Sequence, residues 1–507
     1  MAREGRRERR STTDAVHQLP WRDIVNRFPP VEPLSADELE FIQDRSLKVL
    51  EEIGMEFLHD TALDVLDKAG AEVDRARRHV RLPRELVTAS VAKAPAQFTL
   101  HARNPARNRI LGGNHINFCP VASPPFCHDL DGGRREGNFE DYYKFLKLGQ
   151  SFNILHFFGG YPVEPTDLPA ASRHLDCLAA FVTLTDRAWH AYSLGAERIE
   201  DALEIAAIAR GKSREALKGE ASIVTVVNAN SPLRYDTPML DGLLKMAEGG
   251  QVVILTPFTL SGAMAPATVA GALTQQNAEA LAGITLVQLV NPGCPVIYGG
   301  FTSNVDMKTG APAFGTPEAT RAAMIGGQLA RRNGVPYRSS NPNASTSADA
   351  QAAYESQMSL WGATMGHANM ILHAAGWLEG GLVASFEKFI IDVDTLQMMA
   401  EVLTPIEVTD AAIGIEAMRD VGPGGHFFGT QHTLDRYETA FYEPIVSDWR
   451  NFEAWEAAGA PDAQRRANTI CKKMLAAYQP PDLDPAIAEQ LADFVARRKS
   501  EIGVRAM

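Results

Sequence analysis

The chain has 507 residues, 45% of them hydrophobic and 22% charged, with a formal net charge of −13. That length and apolar content are ample for a large core, and the acidic balance argues against nucleic acid or an anionic membrane surface as the main partner. Five scattered cysteines point to reduced thiols in the cytoplasm rather than a disulfide framework, and no apolar run reaches the roughly 18–20 residues of a membrane span.

Residues 1–34 open with a basic block, Arg3 to Arg10, and then become proline-bearing. No apolar segment follows that would make the block a secretory signal, so a disordered or extended arm is expected. Ser35 begins a helix: Glu38 follows three residues on, then Leu39, Ile42, Leu47, Leu50 and Ile53 at helical spacing. A second helix, Thr61 to Ala69, stops at Gly70, and Pro83 with Glu85 opens a third. Residues 35–100 thus read as a helical N-terminal region.

From 101 to 405, short apolar runs recur at roughly 30–40-residue spacing between helix-like stretches, the signature of a strand–helix repeat. They are Ile116–Cys119, Ile154–Gly159, Ala188–Leu194, Ile223–Ala229, Val252–Pro257, Val296–Phe301, Val335–Ser339 and Met370–Ala374. Eight such units predict an α/β fold, the TIM (β/α)8 barrel, with chemistry at the C-terminal strand ends. Residues 406–507 read as a C-terminal helical extension packed on the barrel, carrying the glycine-rich turn Val421–Thr430.

The ending of the eighth run, His373–Gly381 (HAAGWLEGG), holds His373, Trp377 and Glu379 on the expected catalytic face. Trp377 offers a π-face to a cation, and Glu379 a counter-charge; the plainer alternative is that Trp377 packs between helices and Glu379 caps the next one. Aromatic residues near other strand ends, among them Phe258, Tyr298, Phe301, Tyr337 and Phe427, allow an aromatic cage, although each alone is more often core. Cys119 and the pair Cys127–His128 match no strong zinc spacing, so no metal site is expected. The turn around His426 follows no strand and matches neither a P-loop nor a Rossmann fingerprint. GxSxG and HExxH are absent, which removes the familiar hydrolase readings.

Four long segments resemble the trimethylamine methyltransferase family, the corrinoid-dependent methylamine methyltransferases: Tyr298–Glu318, Ala348–Glu355, Gly366–Asp394 and Val421–Thr433. The resemblance runs from about residue 35 onward. It implies a TIM barrel and transfer of a substrate N-methyl group to the Co(I) centre of a separate corrinoid protein, with no cofactor held tightly by this chain. The family's trimethylamine enzymes carry pyrrolysine in the loop after strand seven; the corresponding Asn341–Asn343 holds ordinary residues. The chain therefore looks like the non-pyrrolysine branch, similar to glycine betaine methyltransferases, and its expected substrate is a small quaternary amine. That branch often has His-Asp where Ala374 follows His373 here, which leaves the amine's identity open.

Within the matching motifs the resemblance assigns catalysis to Glu379 and His373, and substrate binding to Tyr298, Trp377, Phe386, His426 and Phe427, with Asn228 added from the fourth strand end. At least one of His373 and His426 is expected to donate a hydrogen bond to a substrate carboxylate, and Glu379 to supply negative potential to the ammonium group. A homo-oligomer is expected. Two rival readings keep the barrel: a betaine-binding protein without catalysis, and a cofactor-independent lyase or aldolase. The lyase needs a Schiff-base lysine, and none of the eight runs contains a lysine.

Overall fold

The structure, a computed structural model, describes residue 16 and residues 18–505; the basic block Arg3 to Arg10 lies outside the described residues. Its centre is a curled eight-stranded sheet: β1 (Ile24–Val25), β2 (His115–Phe118), β3 (Trp189–His190), β4 (Ile223–Val227), β5 (Val252–Leu255), β6 (Val296–Gly299), β7 (Tyr337–Ser340) and β8 (Met370–Leu372). The spatial order is β1-β2-β8-β7-β6-β5-β4-β3. Strands β2 to β8 run parallel, and β1 lies antiparallel on β2 with Ile24 opposite Ile116.

The period-two alternation of a strand sorts the side chains. Val224, Val252, Ile254, Ile297, Met370 and Leu372 gather with Phe157 and Cys119 in one apolar cluster on the concave face. Their neighbours Val253, Leu255, Val296, Tyr298, Tyr337 and Ile371 belong to the larger cluster shared with the surrounding helices. Burial on both faces is why these runs are continuously apolar. The helices are Phe139–Ser151, Arg173–Leu184, Ala196–Arg210, Thr237–Glu248, Val269–Val290, Pro317–Arg332, Ala350–Met365 and Phe386–Val402.

Two features depart from the expected eight parallel strands. The run Ile154–Gly159 forms no regular strand, because it makes few ladder bonds. The His156 N–H donates to the Phe118 carbonyl (2.8 Å) and the Phe158 N–H to the Ala188 carbonyl (3.1 Å), while the Phe118 N–H donates to the His156 ring at Nδ1 (2.9 Å). The eighth strand of the sheet is instead Ile24–Val25, from the stretch read as an arm. Trp21, just before it, lies edge-on to His156 at 5.3 Å and beneath the guanidinium groups of Arg107 and Arg187, at 4.3 and 5.0 Å.

In the region 35–100, Ser35 and Glu38 form the reciprocal capping box of the helix Ala36–Lys48, and helices Asp60–Lys68 and Arg84–Val91 follow. The region also carries strands Met55–Phe57, Glu72–Asp74 and His79–Arg81, joined in one small sheet by Arg234–Tyr235. At the other end, the helix Ala463–Ala477 meets Phe386–Val402, with Asn468 Nδ2 donating to Glu387 (2.9 Å). The helix Pro485–Arg505 is tied to the layer by Arg498 on Asp201 (2.6 Å).

Two buried histidines stand in for backbone acceptors. Besides His156, His190 accepts the Val226 N–H at Nε2 (3.0 Å), and burial lowers its pKa to about 3; burial holds His156 well below the ordinary range too. Both are neutral in the folded state, whereas the unfolded chain protonates them near pH 6.5. Stability is therefore expected to fall as pH drops below about 6.5, by up to ~1.4 kcal/mol per pH unit for each histidine. The expected loss for His190 continues to about pH 3. Urea unfolding of the His190→Gln variant, whose amide oxygen accepts without titrating, should show a shallower loss between pH 7 and pH 5 than the parent. An identical pH dependence would contradict this assignment.

Candidate active site

Arg338 is the feature that sets the C-terminal edge of the sheet apart. On β7 it pairs with Gly299 and Met370, which places it on the concave face with Met370, while Tyr337 turns outward and donates its hydroxyl to the Ala323 carbonyl (2.9 Å). Arg338 is 2% exposed. Among the described residues no carboxylate lies within ion-pair distance of it. Its hydrogen bond to the protein is a long one, Nη1 to the Gly300 carbonyl at 3.5 Å, and Nε has no partner. The Phe301 ring covers the guanidinium, 5.2 Å from Cζ to the centroid. Burial lowers its pKa to about 10, so it remains a cation at neutral pH.

Two other buried arginines show how the fold normally satisfies such a group. Arg187 donates from Nη2 to the carbonyls of Gln150 (2.7 Å) and Phe152 (3.1 Å), and from Nη1 to those of Gly149 and Leu155. Arg109 binds Asp23 at 2.9 Å and Asn117 at 2.7 Å. Arg338 has no equivalent. Removing a charge from water without compensating it is strongly unfavourable, so an anionic ligand is the natural complement.

Beside Arg338 the chain leaves β8 through a tight turn. His373 adopts φ 58°, a left-handed conformation uncommon outside glycine, asparagine and aspartate. The turn is fixed from three sides: the Ala374 N–H donates to Cys119 O (2.8 Å), Asn341 Nδ2 donates to Ala374 O (3.1 Å), and the Gly376 N–H donates to Asp392 (2.9 Å). Asp392 is itself held by Lys388, which also donates to Ser356 (2.7 Å). Trp377 then enters a short strand, Trp377–Leu378, antiparallel to Val383–Ser385.

The outcome is an aromatic corner. His373 lies 3.9 Å from Trp377, centroid to centroid, and Phe301 stands edge-on to both, at 5.9 and 6.2 Å. Phe258 and Phe314 extend it from Phe301 at 5.1 and 5.5 Å. Burial, reinforced by Arg338, holds the His373 imidazole well below the ordinary range, hence neutral. Buried polar atoms without protein partners concentrate here: Arg338 Nε, Ser340 Oγ, Asn341 Oδ1, Asn343 Oδ1, His373 Nδ1 and Trp377 Nε1. Buried polar groups are ordinarily paired; twelve further unpartnered atoms are scattered over the rest of the described residues. A small cleft beside Phe301 and Phe314 opens toward the helix layer, lined also by Tyr337, Ala322 and Ala323, and it does not include Arg338, His373 or Trp377.

The expected site residues divide. His373 and Trp377 come together as described. Glu379 is held at the rim by Arg134, whose Nε lies 3.2 Å from both carboxylate oxygens, and Arg134 in turn covers Phe126; the glutamate is engaged rather than poised over a ligand. Tyr298 points away from the concave face, because Ile297 takes the inward position, and its hydroxyl receives Gln276 Nε2 (3.3 Å). Phe386 stacks flat on Phe145 (4.1 Å, 3°) within the helix layer. Asn228 is exposed just after β4. His426 and Phe427 are exposed on the glycine-rich turn, with Phe428 as ring neighbour of His426 at 6.1 Å; they do not join the corner.

Arg338 and Asp392, the positioning residue, were not singled out from sequence, and Phe301 only as one of several aromatic residues near strand ends. The available signal was an arginine inside a run read as a buried strand, since such a residue is almost never fully buried without a partner. Among the described residues no three His, Cys, Asp or Glu side chains cluster to hold a metal ion. Cys119 and Cys127 are buried thiols whose pKa burial pushes up.

Comparison with known proteins identifies the family. The family model described as "Trimethylamine methyltransferase (MTTB)" matches residues 2–503. The chain is 40% identical over 477 residues to a glycine betaine methyltransferase of Desulfitobacterium hafniense (strain Y51), covering 94% of this chain and 99% of that protein. It is 27% identical to the trimethylamine methyltransferase MttB of Desulfitobacterium hafniense (strain DSM 10664 / DCB-2), over 93% of this chain and 94% of the relative. A crystal structure of a hydroxylamine complex of MtmB aligns with 87% of this chain and 92% of its own at 10% identity and a TM-score of 0.46, a likeness too weak to bear on the fold. The chain belongs to the trimethylamine methyltransferase family, a family of methyl-transferring enzymes.

Proposed function

We propose that this enzyme moves a methyl group from a small betaine-type quaternary amine to the Co(I) centre of a separate corrinoid protein. On this reading the segment 154–159 closes the curled sheet into a (β/α)8 barrel, supported by its hydrogen bonds to Phe118 on one side and Ala188 on the other. The observation that carries the substrate class is the aromatic corner of Phe301, His373 and Trp377 beside an unpaired buried arginine. A permanent cation is favoured against aromatic faces, and the 40% identical relative is named for glycine betaine.

The corrinoid supplies the nucleophile when its protein docks. The sequence contains no Asp-x-His-x-x-Gly cobalamin-binding pattern, which supports assigning the corrinoid to a partner. What this chain contributes is orientation and exclusion of water around one N-methyl carbon. A quaternary nitrogen leaves as a neutral amine and needs no proton. Glu379 engaged by Arg134 and a neutral His373 are both compatible with that chemistry. The lyase reading is disfavoured: Lys388, buried near the site, is committed to Asp392 and Ser356.

The same reading gives the protein a second copy of itself as partner. Residues 406–452 expose Ile406, Val408, Phe428, Tyr437, Phe441 and Trp449, with Phe428 85% and Phe441 88% exposed. Monomers rarely show apolar surface on this scale. The six exposed rings of this segment, Phe427, Phe428, Tyr437, Phe441, Trp449 and Phe452, offer on the order of 800 Å² per chain, the amount a stable interface needs. Permanent cover by another copy suits so apolar a surface better than a transient encounter does. Five free, buried cysteines fit a cytoplasmic enzyme, and among the described residues no helix is long and apolar enough to cross a membrane.

Three measurements check these assignments. Incubated with the cognate corrinoid protein reduced to Co(I), the enzyme should bleach the Co(I) absorbance with a betaine-type amine faster than with trimethylamine; the reverse order would overturn the substrate class. Trp377→Ala should weaken amine binding by about 0.5–2 kcal/mol by calorimetry if a cation–π contact is made there, and unchanged affinity in a folded variant would remove Trp377 from the site. Light scattering should return a multiple of the chain mass that falls on Phe428→Asp plus Phe441→Asp; a monomeric parent would refute the self-association.

A further inference from the structure

We infer that Arg338 binds the carboxylate of the substrate, and that its nearness to the aromatic corner selects betaines with a single carbon between carboxylate and ammonium. This rests on the quaternary-amine reading above and adds an anionic subsite to it. Arg338 is nearly fully buried on the concave face, has a face of its guanidinium on Phe301, and lacks any carboxylate partner among the described residues. Its Nε, with Ser340 Oγ and Asn341 Oδ1 from the next residues of the chain, has no protein partner. Arg187, equally buried, also leaves its Nε unpartnered but donates from both Nη atoms to four backbone carbonyls, whereas Arg338 makes one long hydrogen bond and no ion pair among the described residues. A planar guanidinium with free donors is the group best matched to a carboxylate.

Distance then limits the ligand's length. Phe301 is shared: its centroid lies 5.2 Å from Arg338 Cζ, 6.2 Å from Trp377 and 5.9 Å from His373. An ammonium resting in that corner is therefore close to the guanidinium. A one-carbon spacer separates ammonium nitrogen and carboxylate oxygen by about 3 Å, and a charge-assisted hydrogen bond adds about 2.8 Å. A three-carbon spacer would push either the carboxylate past Arg338 or the ammonium off the rings. A cation without a carboxylate would leave the arginine uncompensated.

The test is calorimetric binding of glycine betaine, γ-butyrobetaine and choline, with thermal melting, to the full-length enzyme and its Arg338→Met and Arg338→Lys variants. The parent should bind glycine betaine about 10–100-fold more tightly than either other ligand. Arg338→Met should lose that preference by weakening glycine betaine alone, with choline unchanged, and should melt no lower than the ligand-free parent, because it removes an uncompensated buried charge. Arg338→Lys, which keeps the charge without the planar fork, should retain part of the preference. Equal binding of the three ligands by the parent would overturn the inference, as would a preference that survives in Arg338→Met. So would equal loss of all ligands with a lower melting temperature, which indicates a structural arginine. If Arg338→Met does not fold, the comparison of the parent with Arg338→Lys decides. Binding requires no corrinoid, so Arg338-dependent binding without methyl transfer would refute the proposed reaction and leave the subsite standing, and the opposite pattern would do the reverse.

Discussion

A cation buried without a counter-charge is the constraint around which the C-terminal edge of this sheet is arranged. Arg338 sits on β7 between Tyr337 and Ser339, flanked across the sheet by Gly299 and Met370, at a depth where desolvation opposes ionisation. Arg109 and Arg187 are equally buried, yet each has its partners: Asp23 and Asn117 for one, backbone carbonyls for the other. Those arginines tie the segment around Trp21 to the body of the protein. Arg338 ties nothing. The remainder of the edge is consistent with holding a site open: a histidine in a left-handed turn, a tryptophan N–H without an acceptor, and the buried oxygens of Asn341 and Asn343 without donors.

The strain of the His373 turn is supported from the helix layer behind it. Asp392, one helical turn beyond Lys388, accepts the Gly376 N–H and so fixes the loop that carries His373 against Trp377. A buried ion pair contributes little net stability by itself, because desolvation offsets the attraction. Its effect here is geometric: it sets where the turn runs. The sheet shows the same economy elsewhere, where His156 and His190 lend ring nitrogens to backbone donors that lack a carbonyl acceptor.

Much of this architecture was legible in the sequence. Continuous apolar runs such as Val252–Leu255 and Ile223–Val227 become the parallel strands, since a sheet covered on both faces leaves no polar alternation. The Ser35–Glu38 capping box forms as its spacing requires. Ile154–Gly159 misled because its composition is that of a strand while one histidine ring replaces a ladder acceptor. Ile24–Val25 escaped notice because two residues make no pattern. At the aromatic corner, His373 and Trp377 share one sequence motif and come into contact. Tyr298 and Phe386 lie away from that corner, because position along the chain does not say which face a side chain takes. Arg338 was missed since composition treats an arginine as surface, and its burial is set by pairing between strands distant in sequence.

The central claim is that one ligand spans a guanidinium and an aromatic corner. A crystal structure of the enzyme with glycine betaine tests it most directly. The account predicts the carboxylate within hydrogen-bonding distance of Arg338, the trimethylammonium group against Phe301 and Trp377, and one N-methyl group directed out past the C-terminal strand ends. A betaine bound with its carboxylate on other residues, or with the ammonium away from both rings, would contradict it.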